Sequence, residues 1–164
     1  MTAVDKIAAR VEDCYRAGAL AMGASLEIVS IPGYLPLDNN KDFARVFTKN
    51  VVTEFGEDAL TTQADTVNAG GSTDMGDLSQ IMPALHPYVA AAEGTGHGID
   101  YVIADYRRAV VDSAISMALT VVDLLSDNAT EARRIIDLNK PSMTRSEYVQ
   151  SQTDRLRKIE YRGG

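Results

Sequence analysis

The feature of this sequence that most constrains its fold is an apolar stripe between Ile103 and Leu125. Apolar and small side chains recur there three and four residues apart, which is the spacing of one helix face. The stripe consists of Ile103, Tyr106, Val110, Ser113, Ala114, Met117, Val121 and Leu124. A stripe of this length predicts a long helix that is buried along one side.

The amino-terminal part predicts a helix followed by a strand. Thr2 and Asp5 resemble a capping box that opens a helix, and Gly18 and Gly23 mark its end. The run Leu26–Ile31 is typical of a strand, and a proline-rich loop follows it.

The middle of the chain changes character near Leu60. Before it, one of residues 38–40 caps a second helix, which ends near Gly56. After it come two short strand-like pieces, Thr61–Val67 and Leu85–Ala91. We therefore expect two domains, residues 1–59 and 60–164.

Two helices are predicted after the apolar stripe. Asn128 or Thr130 starts a short one, and Thr144 with Glu147 forms a capping box ahead of a mostly polar one through about Ile159. Together with the strands, this pattern indicates an α+β or α/β fold.

Composition and charge limit the possible partners. The 164 residues are 45% hydrophobic and 24% charged, which is typical of a folded globular chain. The formal net charge of -7 argues against nucleic-acid binding, because phosphate contacts need clustered Lys and Arg. No apolar run approaches the roughly 20 residues of a membrane span. The single cysteine, Cys14, is compatible with a reducing compartment, so we expect a cytoplasmic protein.

Both histidines lie in or near glycine-rich segments. Gly94-Thr95-Gly96-His97-Gly98 surrounds an imidazole with residues that let the backbone bend closely around a metal or an anion. Each of these residues also has a structural interpretation. His97, between glycines, is typical of a solvated loop residue, and His86 is typical of a hydrogen-bonded structural histidine. Asp74 is typical of a residue that caps a turn. The residues leave these alternatives open.

Four motifs in order along the chain resemble one enzyme family, the zinc amidohydrolases and metallopeptidases related to aminoacylase and p-aminobenzoyl-glutamate hydrolase. The first is Ile31-Pro32-Gly33-Tyr34-Leu35-Pro36-Leu37 with Asn39. The others are Gly71-Ser72-Thr73-Asp74-Met75-Gly76-Asp77, Pro83-Ala84-Leu85-His86-Pro87-Tyr88 and Gly94-Thr95-Gly96-His97.

The resemblance implies a fold and a division of the chain. Residues 1–59 would be the second part of a ferredoxin-like lid that also makes a dimer. Residues 60–164 would be the carboxy-terminal part of a zinc-peptidase-like α/β catalytic domain. We therefore expect a homodimer or another oligomer.

The resemblance also assigns site residues. His97 matches the family's last zinc ligand. Ser72, Thr73 and Asp74 match positions close to the site, and His86 matches a position near the substrate. The commoner form of this motif in the family is Thr-Pro-Gly-His. The stretch from Thr95 to His97 in this chain is shorter and richer in glycine, so the shape of this loop is expected to differ as well.

This set of residues is incomplete for catalysis. Zinc-dependent amide hydrolysis needs about three protein ligands and a carboxylate base, and no catalytic residue of that kind is assigned in this chain. We therefore interpret the chain as a fragment of a metal-dependent amidohydrolase that hydrolyses N-acyl amino acids or small peptides, inactive by itself. The alternative is a non-catalytic α+β module for binding or dimerisation.

Overall fold

The structure is a computed structural model that describes residues 2–60 and 73–163. Its helices are α1 (Thr2–Ala21), α2 (Lys41–Phe55), α3 (Met75–Ser79), α4 (Ser113–Leu138) and α5 (Arg145–Arg155), with a 3-10 turn at Glu57–Ala59 and a π-helical stretch at Arg107–Asp112. Its strands are β1 (Leu26–Ser30), β2 (Ala92–Glu93), β3 (Val102–Ile103) and β4 (Arg157–Tyr161). This mixture confirms the predicted α+β class.

The chain forms two compact units, each assembled from separated stretches of sequence. The first unit contains Met1–Leu37, Ser72–Ile81 and Ser142–Gly164, and the second contains Asp38–Gly71 and Met82–Pro141. The lid, the catalytic domain and the boundary at residue 59 stay predictions. The predicted strand Thr61–Val67 lies outside the described residues.

In the first unit, β1 pairs with β4 in an antiparallel ribbon. Leu26 lies opposite Tyr161, and Ser30 lies opposite Arg157. The Arg16 guanidinium stacks over the Tyr161 ring, 4.4 Å from its centre, and so ties α1 to the end of this ribbon. An ion pair between Arg157 and Glu12 of α1 makes a second link.

The ribbon overturns one sequence prediction. The last helix was expected to continue through about Ile159, but α5 ends at Arg155 and Ile159 pairs with Ile28. The Thr144 capping box that opens α5 is present as predicted, because its signal is local. The strand that follows needs a partner more than 120 residues away, so no local pattern announces it.

In the second unit, α2 packs against α4. The Asn40 side chain caps α2 by accepting a hydrogen bond from the Phe43 amide at 2.9 Å. The helix ends at Gly56, whose φ of 87° favours glycine. Both ends agree with the sequence prediction. A salt bridge of 3.1 Å between Asp42 and Arg134 joins the two helices near their polar edge.

The buried side of α4 is not the side that the sequence predicts. The residues of α4 that are buried are Ser116, Thr120 and Ile135. The hydroxyls of Ser116 and Thr120 donate to backbone carbonyls one turn earlier, at 2.8 and 2.7 Å, so their burial leaves no unpaired donor.

The apolar stripe is consequently exposed. Its members Val110, Met117 and Val121 keep 61%, 58% and 51% of their surface in contact with solvent. The prediction that this stripe is buried is therefore wrong for this structure. Periodicity identified a helix and its apolar face correctly, but the buried Ser116 and Thr120 lie on a different side of that helix.

The start of this helical region also differs from the prediction. Ile103 lies in β3 and pairs with Ala92, so the helix cannot begin there. It begins at Arg107, where the Asp105 carboxylate accepts a hydrogen bond from the Arg108 amide at 2.9 Å. Asp105 is thus a capping signal that the apolar pattern obscured.

The helical region is interrupted near its middle. Asp127, Asn128 and Ala129 all have left-handed backbone angles, which breaks α4 into two segments. The Thr130 hydroxyl donates to the Asp127 carbonyl at 2.6 Å beside this break. The break agrees with the prediction that a separate helix begins at Asn128 or Thr130.

Among the described residues, one helical span, Arg107–Leu138, is long and apolar enough to cross a membrane by length and composition. The sequence-based expectation was that no run approaches this size. Only 11% of its apolar window is buried. A single span of this kind is weak support for a membrane helix, because core helices of soluble proteins pass the same test.

Candidate metal and substrate site

Thr73 and Asp74 stand at the start of α3, in the first unit. Ser72 lies outside the described residues. The Thr73 hydroxyl is 3.3 Å from a carboxylate oxygen of Asp74 and accepts a longer hydrogen bond of 3.4 Å from the Met75 amide. The exposed Asp74 side chain makes no capping hydrogen bond to α3. Its carboxylate is thus available to a group outside the helix.

The next two residues of this motif have a structural role that the sequence did not reveal. A Cβ at Gly76 would overlap the carbonyl oxygen of Leu35, so only glycine lets α3 approach the proline-rich loop this closely. The Asp77 carboxylate accepts a hydrogen bond of 2.8 Å from the Leu35 amide. Two of the four motifs therefore form one packed junction.

Gln80 extends this junction to a third part of the chain. Its side-chain amide donates to the Pro36 carbonyl at 2.7 Å, and its side-chain oxygen accepts from the Ser142 hydroxyl at the same distance. Its backbone carbonyl accepts from the Met143 amide at 3.3 Å. We call Gly76, Asp77 and Gln80, with the residues that they contact, the α3 junction.

His86 belongs to the second unit. Hydrogen bonds tie its segment to the two asparagines that precede α2. The His86 amide donates to the Asn39 side chain at 2.9 Å, and the Asn40 amide donates to the Ala84 carbonyl at 2.8 Å. The predicted strand Leu85–Ala91 is therefore wrong. The His86 amide, which a strand would use for its ladder, is bound to Asn39 instead.

The His86 ring is half-buried and has a polar atom without a partner. The ring packs edge-on against Tyr88, with 5.1 Å between the two ring centres. Its Nδ1 atom is buried and has no hydrogen-bond partner among residues 2–60 and 73–163. A buried ring nitrogen without a partner is unusual and indicates a position where a bound group can supply one. The role of His86 near the substrate stays a prediction.

His97 lies at the tip of the β2–β3 hairpin and is exposed. The Gly98 amide donates to the Thr95 carbonyl at 2.7 Å and closes a tight turn around it. The Asp100 carboxylate accepts from the Thr95 amide at 3.3 Å. His97 itself has a φ of 63°, in the left-handed region that side chains other than glycine adopt rarely.

Two glycines near His97, Gly94 and Gly98, are explained by this turn. Gly94 has a φ of 90°, and a Cβ there would overlap the Asp100 carbonyl. A Cβ at Gly98 would overlap the Asp100 carboxylate. Gly94 and Gly98, which the sequence attributes to a metal or anion, are therefore also required by the hairpin itself, whereas a Cβ at Gly96 would meet nothing within 4 Å.

The described residues do not fit a complete zinc site. Within residues 2–60 and 73–163, no three His, Cys, Asp or Glu side chains form a group that could hold a metal. Zinc sites in enzymes use about three protein ligands. Asp74 belongs to the first unit, and His86 and His97 lie on separate segments of the second. The role of His97 as a zinc ligand stays a prediction.

Two surface depressions of about 440 and 390 Å³ lie elsewhere in the second unit. The larger is lined by residues from Asn128 to Leu138, and the smaller by residues of α2 and α4. Neither contains His86 or His97. The Arg134 guanidinium borders the larger one, where its hydrogen bond to Glu131 lowers the pKa of that carboxyl group. These charges are engaged in ion pairs that support the α2–α4 packing.

Comparison with known proteins gives one relationship. The chain is 30% identical to the Xaa-Arg dipeptidase of Mus musculus and 27% identical to that of Homo sapiens, in each case over 122 residues. The match covers 71% of this chain but 28% of each relative. No family model and no solved structure matches the chain.

The chain thus spans less than a third of the curated relatives that it matches. The match agrees with the four motifs in pointing to enzymes that cleave amide bonds. The chain is related to peptidases over most of its length, which supports a coarse relation to the metallopeptidases and amidohydrolases.

Proposed function

We propose that this chain is part of a metal-dependent amidohydrolase that cleaves N-acyl amino acids or small peptides, and that it is inactive by itself. The observation that carries the proposal is the 122-residue match to two dipeptidases. The activity named for these two relatives makes dipeptides with a carboxy-terminal arginine the first substrates to test.

Within this proposal, His97 supplies one zinc ligand. The hairpin turn holds its imidazole outward at an exposed tip, where a ligand from another segment can meet it. His86 is proposed to contact the substrate through its unpaired Nδ1. The remaining ligands and the general base must come from residues beyond those described.

The proposal is tested by reading the coding DNA on both sides of this chain and expressing the whole product. We expect a continuous frame with a His-x-Asp pair and adjacent glutamates upstream. The whole product should hydrolyse Xaa-Arg dipeptides. His97→Ala should lower its zinc content and should lower its kcat by about 100-fold or more.

Two controls accompany this test. The chain alone should show no hydrolysis with added zinc, because a single imidazole does not fix the metal for catalysis. Tyr88→Phe keeps the ring that packs on His86 and serves as a control for folding near the site. Hydrolysis by the chain alone, or an unchanged rate in His97→Ala, would overturn the proposal.

The second candidate function is a non-catalytic α+β module for binding or dimerisation, in a cytoplasmic protein. The observation that favours it is the exposed apolar side of α4. An in-frame stop immediately before Met1, together with no zinc binding by the expressed chain, would support this module over the enzyme.

A further inference from the structure

The segment that carries His86 lies between two prolines. Pro83 and Pro87 have no backbone N–H to donate, and Pro87 also favours extended backbone angles at His86. Between these prolines, only Ala84, Leu85 and His86 have an amide that can donate. Each hydrogen bond to this stretch therefore matters more for its position than one bond in a strand ladder does.

The Asn39 side chain provides the acceptor for one of these amides. Its Oδ1 accepts from the His86 amide at 2.9 Å, across 47 positions of sequence. The neighbouring Asn40 amide donates to the Ala84 carbonyl at 2.8 Å. The two bonds lie two residues apart, so they fix the backbone of His86 relative to the residues before α2.

The residue next to Asn39 is anchored to two helices. The Asn40 side chain caps α2 through the Phe43 amide at 2.9 Å. Its side-chain nitrogen also donates to the Asn139 side chain at 3.1 Å, and Asn139 directly follows α4. A support that is fixed to helices holds a side chain more precisely than a support in a free loop.

The direction of the His86 ring follows from this backbone and from Tyr88. The two rings pack edge-on with 5.1 Å between their centres. The buried Nδ1 atom has no hydrogen-bond partner within the part of the chain that the structure describes. Because no bond from Nδ1 sets the position of the ring there, that position depends on where the His86 backbone is held.

We infer that Asn39 is a positioning residue, whose side-chain oxygen holds the His86 backbone so that the imidazole Nδ1 stays open toward the substrate. The catalytic part of this inference rests on the proposed function, whereas the placement of the ring does not. Asn39 is exposed. Losing an exposed hydrogen bond has little effect on overall stability, so the effect of its loss falls on the ring rather than on the fold.

Nuclear magnetic resonance of the full chain tests the placement of the ring. Asn39→Ala removes the acceptor and should shift the His86 ring signals, because the ring moves relative to Tyr88. Asn39→Asp keeps an acceptor oxygen and should restore the signals. The ring signals of His97, on the exposed hairpin, should stay unchanged in both variants. Thr53→Ala is the matched control, because it removes another exposed hydrogen bond of the second unit, one that lies within α2.

Catalysis by the whole product tests whether Asn39 acts through His86. Asn39→Ala should lower kcat/KM for Xaa-Arg dipeptides by about fivefold to tenfold. Its zinc content should not change, and Asn39→Asp should recover most of the rate. In a His86→Ala background, Asn39→Ala should have no further effect, because no imidazole remains to be positioned. A merely structural role of Asn39 would lower the rate equally in both backgrounds.

Two results would overturn the inference. The first is a set of His86 ring signals that Asn39→Ala leaves unchanged. The second is a double variant in which the losses from Asn39→Ala and His86→Ala add. If the whole product hydrolyses no dipeptide, the proposed function fails and the catalytic part fails with it, and the ring signals then decide whether Asn39 places His86.

Discussion

The α3 junction and the His97 hairpin carry two glycine-rich motifs of the same resemblance, but they are held in different ways. Contacts in the α3 junction reach across long stretches of chain, from Asp77 to Leu35 and from Gln80 to Ser142. Contacts in the His97 turn join residues three and five positions apart. We conclude that Gly76 and Asp77 act mainly in tertiary packing, whereas the His97 turn is a local unit that can change without unfolding the rest.

The largest effect is expected at Gly76. Gly76→Ala places a Cβ against the Leu35 carbonyl, so we expect a loss of about 2–3 kcal/mol in the free energy of unfolding. Gly18→Ala is the matched control, because Gly18 is also helical and has nothing within 4 Å of a Cβ. This control should be neutral or stabilising by up to about 1 kcal/mol. Urea denaturation checks both, and equal effects would contradict the proposed packing role.

A smaller effect is expected at Asp77. Asp77→Ala removes the acceptor of the Leu35 amide and should cost about 1–2 kcal/mol in unfolding free energy. Asp74→Ala should cost less than about 0.5 kcal/mol, because Asp74 is exposed and caps nothing. Thermal unfolding of the two variants distinguishes them. A larger cost at Asp74 would reverse the roles assigned to these two carboxylates.

The hairpin should respond in the opposite direction. His97→Gly relieves a left-handed backbone and should leave stability unchanged or raise it by about 0.5–1 kcal/mol. The same change should abolish zinc binding in the whole product if His97 is a ligand. Denaturation together with metal analysis measures both. A clear loss of stability would show that the imidazole is part of the packing.

The smallest effect is a pH dependence at α5, which is held locally like the hairpin. A hydrogen bond from the Thr144 backbone amide, and a smaller effect of the Thr144 hydroxyl, lower the pKa of the Glu147 carboxyl group in the folded chain. A lowered pKa adds stability that is present above the unfolded pKa and lost as the pH falls through the folded one. Circular dichroism between about pH 7 and pH 3 should show α5 fraying at the acidic end. Glu147→Gln should remove this pH dependence, and an unchanged acid transition would contradict it.

The sequence predicted those features whose signals lie within one turn of helix. The Asn40 cap, the end of α2 at Gly56 and the Thr144–Glu147 box all agree with the structure. Each depends on a side chain that meets a backbone group three or four residues away. Such contacts form in the same way whatever the rest of the chain does.

The candidate site shows the same difference between local signals, which the sequence reveals, and distant contacts, which it does not. The sequence singled out His97 and its glycines, and the structure shows a tight turn there. It gave no role to Gly76, because the Leu35 carbonyl that requires a glycine is 41 positions away. It also gave no reason for the unpaired His86 Nδ1, which depends on how the ring is buried.

The sequence by itself thus determined helix α2 with both its ends, the capping box of α5 and the presence of a long helix with an apolar stripe. Only the tertiary structure decided that β4 pairs with β1 and that α4 buries Ser116 and Thr120. The physical reason is that periodicity defines the faces of a helix, whereas burial depends on which partners are close. A face rich in Val and Met stays exposed until a surface of matching shape covers it.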